Sequence, residues 1–351
     1  MAFTTLPEHD DLGAVVPPKA RLALYGHEAA FAELIRARSE KRLHHAWLLQ
    51  GPRGIGKATA AFAFARLLLN ARTADGEGAT ASFFSEDPVI RQIATDAHPG
   101  LIHVTRAAQE RSSGFRTQIT VEEVRRLARF FHATGASDSY RIAIVDPADD
   151  MNRNAANALL KMLEEPPDRA LFLIVNHTPG RLLPTIRSRC RALRFDPLDP
   201  LTLDRTLAAI APTLSDQERQ AMVSASEGSV RRALVMEEHG GIEIVDALEP
   251  LLDADRPDWN GIAALADQLT LKGREASFDL AIDSILSTIA KASEAALDAG
   301  DGARAARFAA LWQSERARIR EAVAYNLDRK QVLLTLYNAY HAAAADRFES
   351  A

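Results

Sequence analysis

The chain lacks the features that mark secreted, membrane-bound or nucleic-acid-coating proteins. Its 351 residues include a single cysteine, Cys190, which excludes an internal disulfide framework and a cysteine-rich zinc module. One cysteine also fits a reducing cytoplasm. No apolar run approaches the length of a membrane span, and the N-terminus has no basic stretch followed by an apolar one, so we expect neither a membrane anchor nor a signal peptide. The formal net charge of -5 argues against a protein that coats nucleic acid by itself.

What remains is an ordinary globular composition, 47% hydrophobic and 25% charged, in a chain long enough for two or three domains. Strands and helices alternate in the first part of the chain, which predicts a parallel, doubly wound sheet. From residue 199 onward the pattern is Ala-rich without strands, which predicts helices. We divide the chain into a flexible arm (1–19), an α/β P-loop domain (20–197), a small helical lid (198–245) and an all-α C-terminal domain (246–351).

Short apolar runs and helical spacings place the individual elements. Five strands are predicted at 46–49, 101–104, 142–145, 170–175 and 193–195. Helices are predicted at 28–39, 56–70, 88–95, 120–131, 154–165, 200–211, 215–226 and 229–238. The helix after Thr120 should begin with a capping box, in which Thr120 and Glu123 satisfy each other's free amide groups. Glycines at 240–241 and prolines at 250 and 257 suggest boundaries.

A phosphate-binding loop follows the first strand. Gly51, Gly54 and Gly56 would let backbone N–H groups wrap phosphate oxygens, and Lys57 would neutralise phosphate charge. The pattern next requires Ser or Thr to hold magnesium, but this position is Ala58. Thr59 stands one position later, which turns its hydroxyl about 100° around the helix axis. The loop therefore favours phosphate binding over productive magnesium binding.

An acidic residue, Asp146, ends the third strand at the place where α/β sheets bind ligands. An ATPase of this class needs a second acid beside it to polarise water, and the next residue here is Pro147. Asp149 and Asp150 lie further on and should point elsewhere, although an unusual turn could let Asp149 substitute. We therefore do not expect this chain to hydrolyse ATP alone.

Four arginines surround Ser188 and Cys190, at positions 187, 189, 191 and 194. This stretch is either a solvated basic loop or a loop that offers an arginine to the nucleotide of a neighbouring subunit, since guanidinium matches phosphate oxygens with two parallel bonds. We expect Cys190 to be a small packed residue rather than a nucleophile, because no partner His or acid is evident.

Four strings carry a family resemblance. They are His44–Leu49 with the P-loop, Asn157–Pro167 (Asn-Ala-Leu-Leu-Lys-Met-Leu-Glu-Glu-Pro-Pro), Leu183–Cys190 and Gly228–Leu234. Together they resemble the AAA+ clamp-loader subunits of bacterial DNA polymerase III, in particular the delta prime branch. The resemblance is clear over roughly residues 20–240, and it implies that the helical C-terminal domain is an oligomerising collar.

The resemblance also implies roles for single residues. Asn176 matches the polar sensor 1 residue, and Arg231 matches the sensor 2 arginine that faces nucleotide in active relatives. With Gly51, Gly54, Gly56, Lys57, Thr59 and Asp146 they would form a degenerate nucleotide site. Arg189 would act in trans as an arginine finger. No metal site is implied. Many relatives carry a four-cysteine zinc module after the P-loop helix, but residues 71–100 contain no cysteine, so zinc is not expected.

By the same resemblance, the chain would be a stator without intrinsic ATPase activity in a DNA-directed DNA polymerase holoenzyme. Its partners would be the gamma/tau motor and delta subunits, and, through the complex, the sliding clamp and primer-template DNA. No cofactor is required, although the P-loop could hold ATP, ADP or phosphate. The expected location is the bacterial cytoplasm, at the nucleoid-associated replisome, without membrane contact.

Two alternatives stay open. The first is an ATP-hydrolysing motor subunit of the gamma/tau type, against which Pro147 and Ala58 argue. The second is an independent nucleic-acid-binding module that uses the arginine loop with Arg106, Arg111 and Arg116.

The apolar stripe of the C-terminal domain exceeds what one helix needs, and most of it must be core. That stripe comprises Ile282, Ile285, Leu286, Ile289, Val332, Leu333, Leu336 and Tyr337.

Overall fold

The computed structural model describes residues 8–12, 15–70, 87–109, 114–132, 139–325 and 327–345. The chain divides into two compact units. The first comprises Met1–Arg219 with Ser226–Arg231, and the second comprises Gln220–Ala225 with Arg232–Ala351.

The first unit is built on a five-stranded parallel sheet, which confirms the predicted α/β P-loop fold class. The strands are β1 (Ala46–Gln50), β2 (Leu101–Val104), β3 (Arg141–Val145), β4 (Ala170–Asn176) and β5 (Arg191–Arg194). Their order is β2-β3-β4-β1-β5. β1, β3 and β4 are almost continuously apolar because helices cover both faces of a parallel sheet. The carboxyl ends of these three strands therefore lie side by side, where loops can meet a ligand.

Helices flank the sheet as the spacings predict. They are α1 (Glu28–Ser39), α2 (Lys57–Leu69), α3 (Pro88–Ala94), α4 (Val121–His132), α5 (Arg153–Glu164), α6 (Pro184–Arg187) and α7 (Pro200–Ile210). Successive strand residues point to opposite faces. Trp47 and Leu49 accordingly join one core layer with α1 and α2. Ala46 and Leu48 join the other layer, with α4 and α5.

Two local predictions need correction. The fifth strand begins at Arg191 rather than at residue 193, because only Leu193 is buried on this edge strand and the apolar run does not mark its start. The capping box forms only in part. The amide of Thr120 donates to Glu123 Oε2 at 2.8 Å, but the Thr120 hydroxyl donates to the same carboxylate instead of accepting from an amide.

The remaining helices confirm the all-helical prediction for the described residues after 199. They are α8 (Asp216–Ala225), α9 (Val230–His239), α10 (Gly241–Asp253), α11 (Trp259–Leu269), α12 (Glu275–Asp298), α13 (Gly302–Ala324) and α14 (Arg329–Ala345). The predicted apolar stripe, from Ile282 to Tyr337, lies inside the core of the second unit. No described helix combines the length and apolar content required to cross a membrane.

The predicted boundary between residues 245 and 246 falls inside α10, which continues through Pro250. Ile244, Leu248 and Leu252 recur at four-residue spacing and join one core with α11, α12 and α14. One buried face thus crosses the predicted boundary. Gly240, in the left-handed conformation at φ 64°, immediately precedes α10. The division into P-loop, lid and collar domains otherwise stays a prediction.

Candidate functional site

The P-loop connects β1 to α2, and its backbone requires glycine at two crowded positions. Gly51 has φ 153°, and a Cβ there would lie 2.1 Å from the carbonyl oxygen of Phe195. Gly54 has φ 80°, and a Cβ there would lie 2.4 Å from Arg231 Cβ. Gly56, at φ 108°, precedes the first residue of α2. The loop therefore has the geometry that the sequence predicts, and it is in close contact with the segment that carries Arg231.

Lys57 points into its own loop. Its Nζ donates to the carbonyl of Gly51 at 2.7 Å and to the carbonyl of Pro52. Burial lowers the pKa of Lys57 to about 8, although Asp146 and Asp149 oppose the shift. The ammonium is therefore satisfied by P-loop carbonyls, and a phosphate would have to compete with them. On α2, Ala58 is half-buried and Thr59 is buried, and the role of Thr59 in a degenerate site stays a prediction.

The carboxylate of Asp146, at the end of β3, shares its surroundings with other charged groups. Burial raises the pKa of Asp146 to about 6; His103 and Lys57 lower it, while Asp10 and Glu8 raise it. Pro147 follows and supplies no carboxylate. Asp146, which directly follows β3, therefore interacts with Lys57 but has no second acid beside it in the sequence.

Asp149 is held by the loop after β4. Its two carboxylate oxygens accept from the amides of His177 at 2.6 Å and Thr178 at 2.8 Å. Both oxygens are thus engaged by backbone, which disfavours Asp149 as a substitute second acid. Asp150 instead accepts from Arg106 Nε at 2.7 Å.

Asn176, the sensor 1 candidate, is fully buried at the end of β4. Its Nδ2 donates to the carbonyl of Thr178 at 3.1 Å, and Gln50 Nε2 donates to its Oδ1 at 3.5 Å. The side chain thus bonds to residues at the ends of β1 and β4. Its proposed sensor role remains a prediction.

The segment that carries Arg231 bonds to the P-loop through the backbone of Arg231 and the side chain of Ser229. The amide of Arg231 donates to the carbonyl of Gly54 at 3.1 Å, and Ser229 Oγ donates to the carbonyl of Arg53 at 3.0 Å. The Arg231 guanidinium bonds to Asp10, a residue of the predicted flexible arm. Asp10 and Arg53 are site residues that the motifs do not predict, because neither stands at a defining motif position.

The predicted flexible arm (1–19) needs correction over its described part. Lys19 is 1% exposed, and its Nζ donates to Glu8 Oε1 at 2.9 Å and to Asp96 Oδ2 at 2.6 Å. His103 Nδ1 lies 3.0 Å from the same Glu8 oxygen. Glu8, Asp96 and His103 are close enough to suggest a metal site, but the Lys19 ammonium supplies the positive charge. Residues 1–7 and 13–14 lie outside the described residues.

Two arginines of the arginine loop, Arg189 and Arg191, form ion pairs with different glutamates. Arg189 Nη2 lies 2.8 Å from Glu164 Oε1, and its Nη1 donates to the carbonyl of Thr185 at 3.0 Å. Arg191 pairs with Glu33 at 2.7 Å and lies over the ring of Trp47. Arg191 thus has a local structural role, whereas Arg189 stays 37% exposed.

The prediction that Cys190 is a packed residue is confirmed. The side chain packs against the core layer that contains α4 and α5. Burial raises the pKa of the thiol to about 12, so the thiolate is scarce at neutral pH.

The nucleic-acid-binding alternative gains no support from the described arginines. Arg106 pairs with Asp150 at 2.6 Å, and Arg116 lies 3.8 Å from Glu123. Arg111 lies outside the described residues, as does the first part (71–86) of the segment for which zinc was not expected. The nucleic-acid-binding alternative and the expected absence of zinc therefore both stay predictions.

The raised pKa of Asp146 predicts a pH-dependent stability. The folded-state pKa, about 6, lies above the ordinary value of 3.8. The folded chain therefore holds this proton more tightly than the unfolded chain, and stability falls as pH rises from about 3.8 to about 6. Asp146→Asn should remove this cost and raise the free energy of unfolding at pH 7 by on the order of 3 kcal/mol.

Urea denaturation between pH 4.5 and pH 8 measures this effect. The difference between Asp146→Asn and the wild type should widen with pH up to about 6 and then stay constant. Asp255→Asn, at an exposed position of the second unit, is the matched control and should leave stability unchanged. A difference that does not vary with pH would contradict the assignment.

Comparison with known proteins gives partial matches. The sequence model of the family described as DNA polymerase III, delta subunit, matches residues 26–199. The DNA polymerase III subunit delta' of Pseudomonas aeruginosa is 39% identical over 146 residues, which are 42% of this chain and 41% of the relative. The subunit delta' of Bacillus subtilis is 33% identical over 175 residues, 47% of this chain and 46% of the relative.

A second kind of subunit matches a longer part of the chain. The DNA polymerase III subunit gamma/tau of Mycobacterium bovis is 34% identical over 222 residues, which are 62% of this chain and 36% of the relative. The chain therefore spans less than half the length of each of these relatives, namely 41%, 46% and 36%. Similarity is thus shared between the delta' and the gamma/tau subunits.

Proposed function

Residues 26–199 belong to the family described as DNA polymerase III, delta subunit, and from this premise we propose that the chain is a clamp-loader subunit of the delta prime type. It would assemble with gamma/tau motor and delta subunits. The complex would load the sliding clamp onto primed DNA, in the bacterial cytoplasm at the replisome. Since the chain covers less than half of each delta' relative, these partners and this activity are proposals.

We propose further that the chain does not hydrolyse ATP. The main support for this proposal is the arrangement of the acidic residues that follow β3. Pro147 takes the position beside Asp146, and both oxygens of Asp149 accept backbone amides of the loop after β4. Those two bonds use the Asp149 carboxylate to hold the loop after β4, which disfavours it as the acid that polarises an attacking water. Ala58 supports the same proposal, since it offers no hydroxyl to magnesium.

The stator role would rest on Arg189. Its guanidinium is partly exposed and bonds to Glu164 and Thr185, neither of which belongs to the P-loop. Planar guanidinium suits a phosphate of another subunit, because it can donate two parallel bonds. We propose that Arg189 is offered to the nucleotide of an adjacent motor subunit, and that Glu164 fixes its direction before assembly.

ATP turnover by the purified chain tests the proposal. We expect none above the background of a Lys57→Ala variant prepared in the same way, either with or without primed DNA. Turnover of about 1 s⁻¹ or more, abolished by Lys57→Ala, would match a working enzyme. That result would favour the second candidate, a motor subunit of the gamma/tau type, to which the chain is also similar.

A further inference from the structure

Residues 8–12, which we call the N-terminal strap, run from the end of β2 to the P-loop. Glu8 contacts His103 of β2, and His9 Nδ1 lies 3.2 Å from the hydroxyl of Thr105. The next residue, Asp10, bonds to Arg53 of the P-loop. Three consecutive side chains therefore have defined partners, and the last of them reaches the loop that would bind phosphate.

Asp10 bonds to two guanidinium groups. Arg53 Nη2 donates to its Oδ1, and Arg231 Nη1 donates to its backbone carbonyl. Arg231 Nη2 lies 3.6 Å from the same Oδ1. Burial alone would raise the pKa of Asp10, but Arg53 and Arg231 lower it to about 2, so the carboxylate is ionised at neutral pH.

Both arginines contact the P-loop independently of Asp10. Arg53 is part of the loop, and the amide of Arg231 donates to the carbonyl of Gly54. Guanidinium groups beside a P-loop are suited to bind the phosphates of a nucleotide, because they form charge-assisted hydrogen bonds to phosphate oxygens. The Asp10 carboxylate offers the same chemistry, namely a negative oxygen that accepts from guanidinium.

The strap is also anchored away from the loop. Glu8 accepts from Lys19 at 2.9 Å, and Lys19 in turn donates to Asp96. Arg66, a buried residue of α2, donates to the carbonyls of Lys19 at 3.2 Å and Arg21 at 2.6 Å. The side chain of His9 is 7% exposed. The strap that carries Asp10 is thus held in place by buried contacts away from the P-loop.

We propose that the N-terminal strap is an intramolecular ligand of the P-loop, in which the Asp10 carboxylate occupies the place of a nucleotide phosphate between Arg53 and Arg231. A nucleoside di- or triphosphate must displace the strap to bind. The apparent dissociation constant is then the intrinsic constant divided by the fraction of molecules whose strap is open. The inference concerns the proposed nucleotide site alone and does not depend on the role of Arg189.

Calorimetric titration of the full chain with ADP tests the proposal. Asp10→Asn removes the charge that competes with phosphate, and it should tighten ADP binding by about tenfold or more. Glu8→Gln weakens the anchor and should act in the same direction. Inorganic pyrophosphate should gain affinity as ADP does, whereas adenosine, which has no phosphate, should not.

Two controls make the result specific. Asp216→Asn removes an equal charge at a position that is 89% exposed, and it should leave ADP affinity unchanged. Lys57→Ala in the Asp10→Asn background should reverse the gain, which places the bound phosphate at the P-loop. Thermal melting of each variant confirms that it is folded.

Unchanged or weaker ADP binding by a folded Asp10→Asn variant would overturn the proposal, since Asp10 would then be neutral or helpful to the nucleotide. Hydrogen exchange of the wild type gives an independent test. Saturating ADP should speed exchange of the amides of the strap, and slower exchange would count equally against displacement. Failure of these binding tests leaves the ATP-turnover test of the proposed function unaffected.

Discussion

Under the proposed stator role, replacing Arg189 by alanine in the reconstituted complex is expected to lower DNA-stimulated ATP hydrolysis while assembly stays intact. An arginine supplied across an interface stabilises the charge of a transferring phosphoryl group and is typically worth about 10³–10⁵ in rate. The active site that Arg189 serves should lose about that factor. In the proposed complex several subunits would carry active sites, so the total rate and clamp loading should fall only by the share of that one site.

The expectation has a structural basis in the present arrangement of Arg189. Its side chain contacts Glu164 and the Thr185 carbonyl at the surface of the first unit. Exposed ion pairs contribute little to stability, typically below about 1 kcal/mol. Removing the guanidinium should therefore leave the fold and the other surfaces unchanged. A loss of activity without a loss of folding would separate a functional role from a structural one.

Three variants give the prediction its controls. Arg189→Lys should rescue poorly, because an ammonium cannot donate two parallel bonds. Arg194→Ala removes the same charge from a side chain that is 85% exposed, and it should keep full activity. Lys57→Ala should have a much smaller effect than Arg189→Ala, since its own site is not expected to be catalytic. If Lys57→Ala abolishes activity and Arg189→Ala does not, this chain is a motor.

Tyr337→Ala is expected to destabilise the second unit severely, by about 3–5 kcal/mol from the lost packing of the ring alone. The side chain is fully buried on α14. Its hydroxyl accepts from the amide of Asp258 at 2.9 Å and donates to the carbonyl of Leu251 at 3.1 Å. The substitution therefore also breaks two hydrogen bonds that join α10, α11 and α14.

Tyr337→Phe is the matched control, because it keeps the ring and removes only the hydroxyl. The cost should be smaller, about 0.5–1.5 kcal/mol as for a typical hydrogen bond, because the Asp258 amide loses its acceptor while the Leu251 carbonyl keeps His341 as a partner. Urea denaturation followed by tryptophan fluorescence measures both variants. A Trp47→Phe background leaves Trp259 and Trp312, both in the second unit, as the only tryptophans. Equal effects of the two substitutions would show that ring packing is not the main term.

The sequence predicts the sheet and most helices because their signals are local. Apolar runs such as residues 142–145 are continuous where both faces of the strand are buried. The P-loop is recognisable because its glycines must adopt positive φ within seven residues. The start of β5 is less predictable, since an edge strand with a single buried residue carries almost no apolar pattern.

The partners in the candidate site could not be predicted, because their contacts join distant parts of the chain. Asp10 contacts residues 43 and 221 positions away, and Glu8 contacts a residue 95 positions away. Local periodicity carries no information about which cation an acid will meet. Asp149 is similar: its bonds to residues 177 and 178 depend on β3 and β4 being neighbours. A polar segment near the N-terminus therefore resembles a free arm until the topology is known.

The strand order has a consequence for synthesis on the ribosome. β1 is made first of the five strands, yet it lies between β4 and β5. Gln50 on β1 and its β4 partner Asn176 are 126 positions apart. At about 5–20 residues per second, the ribosome needs roughly 6–25 s to cover that distance. During this interval Trp47 and Leu49 have no partner strand, and we expect the nascent chain to present them to a holding chaperone until β4 emerges.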